Sequence, residues 1–175
     1  HAAVAVTPCE TFYVPAYSMS ASAACVLHAG RRLKFADIGD DYCVIPEGNY
    51  PHVVVHLFGH HATHLPKGQT IHDCAQSPTV MPDAKRHGDI WVYSLNQWKI
   101  VQSGEGGYAL TYDRCIADGL HAVRNHGECF TSDILGWNYR MTEATAHLAR
   151  NDFRELDERI AARCEWARRF GIAHD

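Results

Sequence analysis

"DYCVIPEGNYPHVVVHLF", residues 41 to 58, decides how the fold is read, because two apolar segments flank a cluster of turn residues. "DYCVI" and "YPHVVVHLF" are rich in β-branched and aromatic side chains, and "PEGN" supplies the Pro, Gly and Asn that reverse a chain. The pattern predicts two strands joined by a tight turn. "GDIWVYSL" followed at once by "QWKIVQS", 88 to 103, predicts a second hairpin turning at Asn96, and "GGYAL" a further strand. An early strand is expected in "ETFYVPAY", 10 to 17, on a sheet edge, since a central strand cannot spare the N–H that Pro15 lacks. "DILGWNYRM", 133 to 141, reads as a late strand.

Elsewhere the period is helical. "SMSASAACVLHAG", 18 to 30, suits a short helix capped by Ser20, although "ACVLH" also suits a strand. In 111 to 127, Tyr112, Cys115, Ile116, Leu120 and Val123 recur at helical spacing, with Thr111 as N-cap and Asn125 to Gly127 as the stop. From Thr142 onward an apolar stripe of Phe153, Leu156, Ile160, Cys164 and Ala167 lies opposite the i,i+4 pairs Glu155/Arg159 and Glu165/Arg169. Asn151 and Asp152 divide this region into a short helix and a long one, about 152–170, ended by Gly171. The expected fold class is α+β: an antiparallel sheet of about four to five strands covered by helices, in one domain spanning 1–175.

Bulk properties narrow the function. The chain has 175 residues, 46% of them hydrophobic, and a net charge of −4 with dispersed Lys and Arg, so nucleic acid is excluded as a main partner. No segment is long and apolar enough to span a membrane, and a monomer is expected. The first residue is His1, as in a chain that has lost a secretory signal. Cys9, Cys25, Cys43, Cys74, Cys115, Cys129 and Cys164 are widely spaced without a CxxC pair. That arithmetic predicts three disulfides and one leftover thiol in an oxidising compartment.

Histidine is abundant, with 13 in all. His52 and His56 share one strand face, while His60 and His64 share a face only if the loop turns helical. "HHATH" lacks the Glu of a catalytic H-E-x-x-H zinc sequence. The weak metal candidates are therefore His1, His52, His56, His60 and His64, and no metal or other cofactor is expected. An N-terminal His1 could chelate copper through its amine and imidazole, as in the histidine-brace copper oxidases. Full protonation of 13 histidines on a charge of −4 would reverse the molecular charge in mild acid. Nucleophile elbows and phosphate loops are absent, and "GEGG", 104 to 107, is assigned to a turn. No enzyme is expected. Trp137 and Tyr139 alternate with Asn138 and Arg140, as in a half-buried strand.

Three segments, "YCVIPEGNYPHV" (42 to 53), "PKGQTIHDC" (66 to 74) and "WNYRMT" (137 to 142), make the chain resemble the LARS effectors, cysteine-rich proteins secreted by plant-pathogenic fungi. The resemblance implies a disulfide-tied antiparallel sheet with helices and a non-catalytic virulence or avirulence protein. It would act in the apoplast, or in host cells after uptake, on a host plant protein or an immune receptor. Cys43, Cys74, Trp137, Tyr139 and Arg140 would be its structural markers. "GYALTYDRCIADGLHAV" with "GECF" is also similar to secreted fungal killer-toxin-like and necrosis-inducing proteins.

Overall fold

The computed structural model describes residues 1–128 and 134–172. Its elements run α1 (Ala2–Val6), β1 (Thr11–Pro15), α2 (Ser20–His28), β2 (Arg32–Ala36), β3 (His52–Val55), a 3-10 turn (Leu57–Gly59), β4 (Thr70–Asp73), β5 (Ile90–Ser94), β6 (Gly107–Leu110), α3 (Arg114–Arg124), α4 (Glu143–Arg154) and α5 (Leu156–Arg169). The strands form one six-stranded sheet in the order β2-β1-β3-β4-β5-β6. β1 pairs parallel with β2 and β3, β3 with β4, and β4 with β5.

The expected antiparallel, disulfide-stabilised sheet is therefore corrected to a mostly parallel one. Every residue of β1 and of β3 is buried, and burial on both faces is what a parallel strand between covering layers requires. Phe12, Val14, Val53 and Val55 pack on one face with Ala3 and Val4 of α1 and Val26 of α2. Tyr13 and Val54 point to the other, with Ala36 and Val44. β1 lies inside the sheet, not on its edge, and Pro15 is its last residue. "DYCVI" is a tight loop with a single Ile38–Val44 bridge, closed by Gly39 N–H donating to Cys43 O and Tyr42 N–H donating to Gly39 O. No hairpin forms with β3. Nor do residues 134 to 141 form a strand, beyond one antiparallel Asn125–Asn138 bridge.

The chain divides into two compact units, His1–Tyr93 with Tyr108–Arg140, and Ser94–Gly107 with Met141–Asp175. In the second unit, Leu95 N–H donates to Gly106 O and Gln97 N–H to Gly104 O. Such opposed pairing makes 95 to 106 an antiparallel return. Gly104 and Gly106 adopt φ of 85° and 139° there, conformations that favour glycine. α4 and α5 meet at Glu155, and Asp152 of α4 accepts from Gln102 N–H (3.0 Å) and from Arg159 Nη2 (3.0 Å).

Candidate active site

From β1 the chain passes to β2 on one side and then to β3 on the other. In open parallel sheets the crevice for ligands lies outside the carboxyl ends of the strands at such a reversal. Asp73 is the last residue of β4. Its Oδ2 accepts from Ser22 Oγ (3.1 Å) on α2, and its Oδ1 accepts from Ala75 N–H (3.1 Å). Ser22 also meets Ser18 (3.1 Å). Among the described residues no cationic side chain pairs with Asp73. Its two neutral donors leave lone pairs for a cationic or N–H partner.

Residues just beyond the strands complete this edge. Phe58 N–H donates to Gln76 Oε1 (2.8 Å). The ring of Tyr42 lies 6.2 Å from Tyr17, 5.7 Å from Phe58 and 5.7 Å from His60. Tyr42 and Phe58 hold φ of 59° and 57°, a left-handed conformation costly for aromatic side chains.

A second polar group lies buried on the opposite face of the sheet. His72 Nε2 is 2.9 Å from Asp89 Oδ2, and His72 Nδ1 is 3.1 Å from His56 Nε2. Ala62 N–H donates to His56 Nδ1 (3.1 Å), and Arg86 Nε donates to Asp89. His72 stacks flat on Trp91 at 4.8 Å. Burial, followed by the neighbouring His72 and His61, holds the His56 imidazole down at about 4. His52 is also lowered, chiefly by burial. His56 therefore stays neutral in mild acid, and the 13 histidines do not all titrate together.

The chain has four lysines. Lys34, Lys67 and Lys85 are exposed, whereas Lys99 is half-buried. Lys99 follows β5 by five residues, in a turn built by Asn96. Asn96 O accepts from Lys99 N–H (2.9 Å) and Asn96 Oδ1 from Trp98 N–H (3.1 Å), while Asn96 Nδ2 donates to Glu105 Oε1 (2.7 Å).

The other expected site residues lie elsewhere. Cys9, Cys25, Cys43, Cys74, Cys115 and Cys164 are all free thiols, and Cys129 lies outside the described residues. Cys43 and Cys74 are buried while Cys115 and Cys164 are exposed on helices, so wide sequence spacing did not signify pairing. Among the described residues no three His, Cys, Asp or Glu side chains gather as a metal group. His52 Nε2 instead accepts from Glu47 N–H (3.0 Å), and His64 Nδ1 meets its neighbour Thr63 (3.0 Å). His60 lies beside Tyr42, and the His1 ring packs on Trp137 at 4.5 Å with Nδ1 3.2 Å from Tyr139 Oη. Trp137 and Tyr139 stack on each other, and Arg140 Nη1 donates to Asn125 Oδ1 (2.6 Å). Sequence reasoning passed over Asp73, Gln76 and Lys99. Its available signal was a carboxylate closing the buried strand "TIHD".

The profile of the DegT/DnrJ/EryC1/StrS aminotransferase family matches residues 1–171. The chain is 27% identical over 182 residues to the UDP-N-acetyl-3-dehydro-alpha-D-glucosamine 3-aminotransferase of Acidithiobacillus ferrooxidans, covering 88% of this chain and 48% of that protein. Its fold is similar to the sugar aminotransferase CalS13 of Micromonospora echinospora, with a TM-score of 0.77, 18% identity, and coverage of 99% of this chain and 58% of that one. A DegT DnrJ EryC1 StrS aminotransferase of Brucella abortus gives a TM-score of 0.77 at 24% identity, covering 94% and 52%. The chain thus spans about half the length of the relatives it matches. The family match runs through all three segments behind the LARS resemblance, and with the parallel sheet and free thiols it overturns that reading. The killer-toxin and copper-oxidase alternatives fall with it, as does the expectation of a non-catalytic effector. This chain belongs to the DegT/DnrJ/EryC1/StrS aminotransferase family.

Proposed function

We infer that the chain forms the cofactor-binding part of a pyridoxal-phosphate-dependent aminotransferase that places an amino group on a keto sugar. The observation that carries this reading is Asp73, a carboxylate at the carboxyl edge of a parallel sheet, fixed by two neutral donors and lacking a cationic partner among the described residues. Pyridoxal phosphate, when bound, supplies a pyridinium ring that withdraws electrons from the reacting carbon.

The residues present suit that group. Asp73 would hold the proton of its ring nitrogen, and Ser22 and Ala75 N–H would keep the carboxylate aimed. Lys99 would supply the amine that its aldehyde requires, since the remaining lysines stand in solvent. The same amine would later move the proton at the reacting carbon. Overall, nitrogen and three hydrogens pass from an amino donor to the keto carbon of the sugar, and one oxygen passes the other way by way of water, so that the donor leaves as a keto compound. The names of relatives, which include a nucleotide-sugar aminotransferase and a sugar aminotransferase, support a sugar as acceptor.

Titration with pyridoxal phosphate, followed by its absorption band, tests the reading. The wild-type chain is expected to bind it, and Asp73→Asn to weaken binding about 10-fold to 100-fold by loss of a charge-assisted hydrogen bond. Equal binding by the two would remove Asp73 from the site.

A further inference from the structure

We propose that His56 and His72 form a neutral imidazole staple that positions the segment 72–77, which carries Asp73 and Gln76. His56 grips this segment at three points. Its Nε2 meets His72 Nδ1 (3.1 Å), its N–H donates to Asp73 O (3.0 Å), and its C=O accepts from Ser77 Oγ (2.7 Å). The side chains of Asp73 and His72 face opposite sides of the sheet, so the staple acts on the backbone that carries Asp73 and leaves its carboxylate free.

The hydrogen bonds define one protonation pattern. Ala62 N–H needs His56 Nδ1 as its acceptor, which puts the His56 hydrogen on Nε2. That hydrogen goes to His72 Nδ1, so His72 carries its own on Nε2 and donates to Asp89 Oδ2. Asp89 Oδ1 accepts from Thr70 N–H (2.9 Å), and Arg86 balances its charge. Each donor has one acceptor and each ring is neutral. An added proton on His72 Nδ1 would turn His56 Nε2 into an acceptor and drive the His56 hydrogen onto Nδ1, against Ala62 N–H. The loop 60–64 would then lose this tether and keep that of His61 to Thr79.

Both rings are almost completely buried, at 3% and 2% exposure. The groups facing them are His61 from the loop, at 6.3 Å between rings, Asp89 and Arg86 from the segment before β5, and Cys74 at the end of β4. The low proton affinity of His56, held at about 4 by burial and then by His72 and His61, agrees with a pair that stays uncharged. The purpose of the staple rests on the cofactor reading of Asp73, whereas its existence does not.

Imidazole nitrogen NMR on the full chain decides its existence. At pH 7 both rings are expected as neutral Nε2–H tautomers, and a charged ring or an Nδ1–H tautomer would overturn the proposal. Two amide variants then separate the bonds, because Gln Nε2 reaches the position of His Nε2 whereas Asn Oδ1 takes that of Nδ1. His56→Gln should keep the bond to His72 and bind pyridoxal phosphate within about threefold of wild type, while Ala62 amide exchange quickens about tenfold or more. His56→Asn should keep Ala62 protected and weaken cofactor binding about tenfold. Equal behaviour of the two amides would reduce His56 to packing and sink the staple. If the wild type binds no pyridoxal phosphate, the proposed function fails, while the tautomers and Ala62 exchange still decide the staple.

Discussion

Asp73 and His72 are neighbours in "TIHD" with opposite surroundings. Asp73 is held by neutral donors at the strand end, and His72 is enclosed between Trp91 and His56. Nothing in alternation or composition distinguishes them, because both depend on which strand lies alongside. Burial of neutral imidazoles has a consequence for stability. The unfolded chain takes up a proton at His56 near the ordinary 6.5, whereas the folded chain refuses it until about 4. Protons therefore favour unfolding inside that window, and stability present above pH 6.5 is lost as pH falls towards 4. For His56 the loss is expected to reach about 3 kcal/mol. Urea unfolding at pH 7 and pH 4.5 measures it, with His56→Gln removing that component. A loss of equal size in the variant would assign the acid sensitivity to other groups.

At the scale of elements, the three helices after β6 were legible because their periodicity is local, whereas α1 (Ala2–Val6) went unread and α2 was left open between helix and strand. α3 needed only the spacing of its apolar residues, although the N-cap is Asp113, whose side chain accepts from Ile116 N–H, two residues beyond the expected Thr111. Strand positions were partly legible and strand partners were not. "VVV", 53 to 55, is an unbroken apolar run, the mark of a strand buried on both faces, but "PEGN" nearby suggested a hairpin. Gly48 in that segment has φ 52° and its backbone lies against Tyr13, where an added Cβ would meet Oη at 2.9 Å. Its glycine serves close approach, not a strand reversal. A similar approach follows α3. Gly127 has φ 75°, and a Cβ there would strike the carbonyl of Ile134. Gly127→Ala is expected to cost about 2 kcal/mol or more, measurable by thermal unfolding, and an unchanged midpoint would show that the 126 to 136 approach contributes little.

For the molecule as a whole, composition correctly left room for a sizeable core but misdirected the chemistry. Seven cysteines looked like a disulfide framework, and the six described are free. Reductant is therefore expected to leave the melting midpoint unchanged, whereas one native bridge would contribute about 2–4 kcal/mol. The family became visible only through the parallel sheet and the match along residues 1–171. "GEGG", 104 to 107, was expected to be a turn, whereas Gly104 and Gly106 lie on the returning leg opposite Gln97 and Leu95, and Lys99 carried no signal of its own. The most direct test is borohydride reduction of the chain mixed with pyridoxal phosphate, followed by peptide mass analysis. A pyridoxyl adduct confined to Lys99, and absent in Lys99→Ala, is the predicted result. Labelling spread over Lys34, Lys67 and Lys85, or undiminished in the variant, would contradict the account.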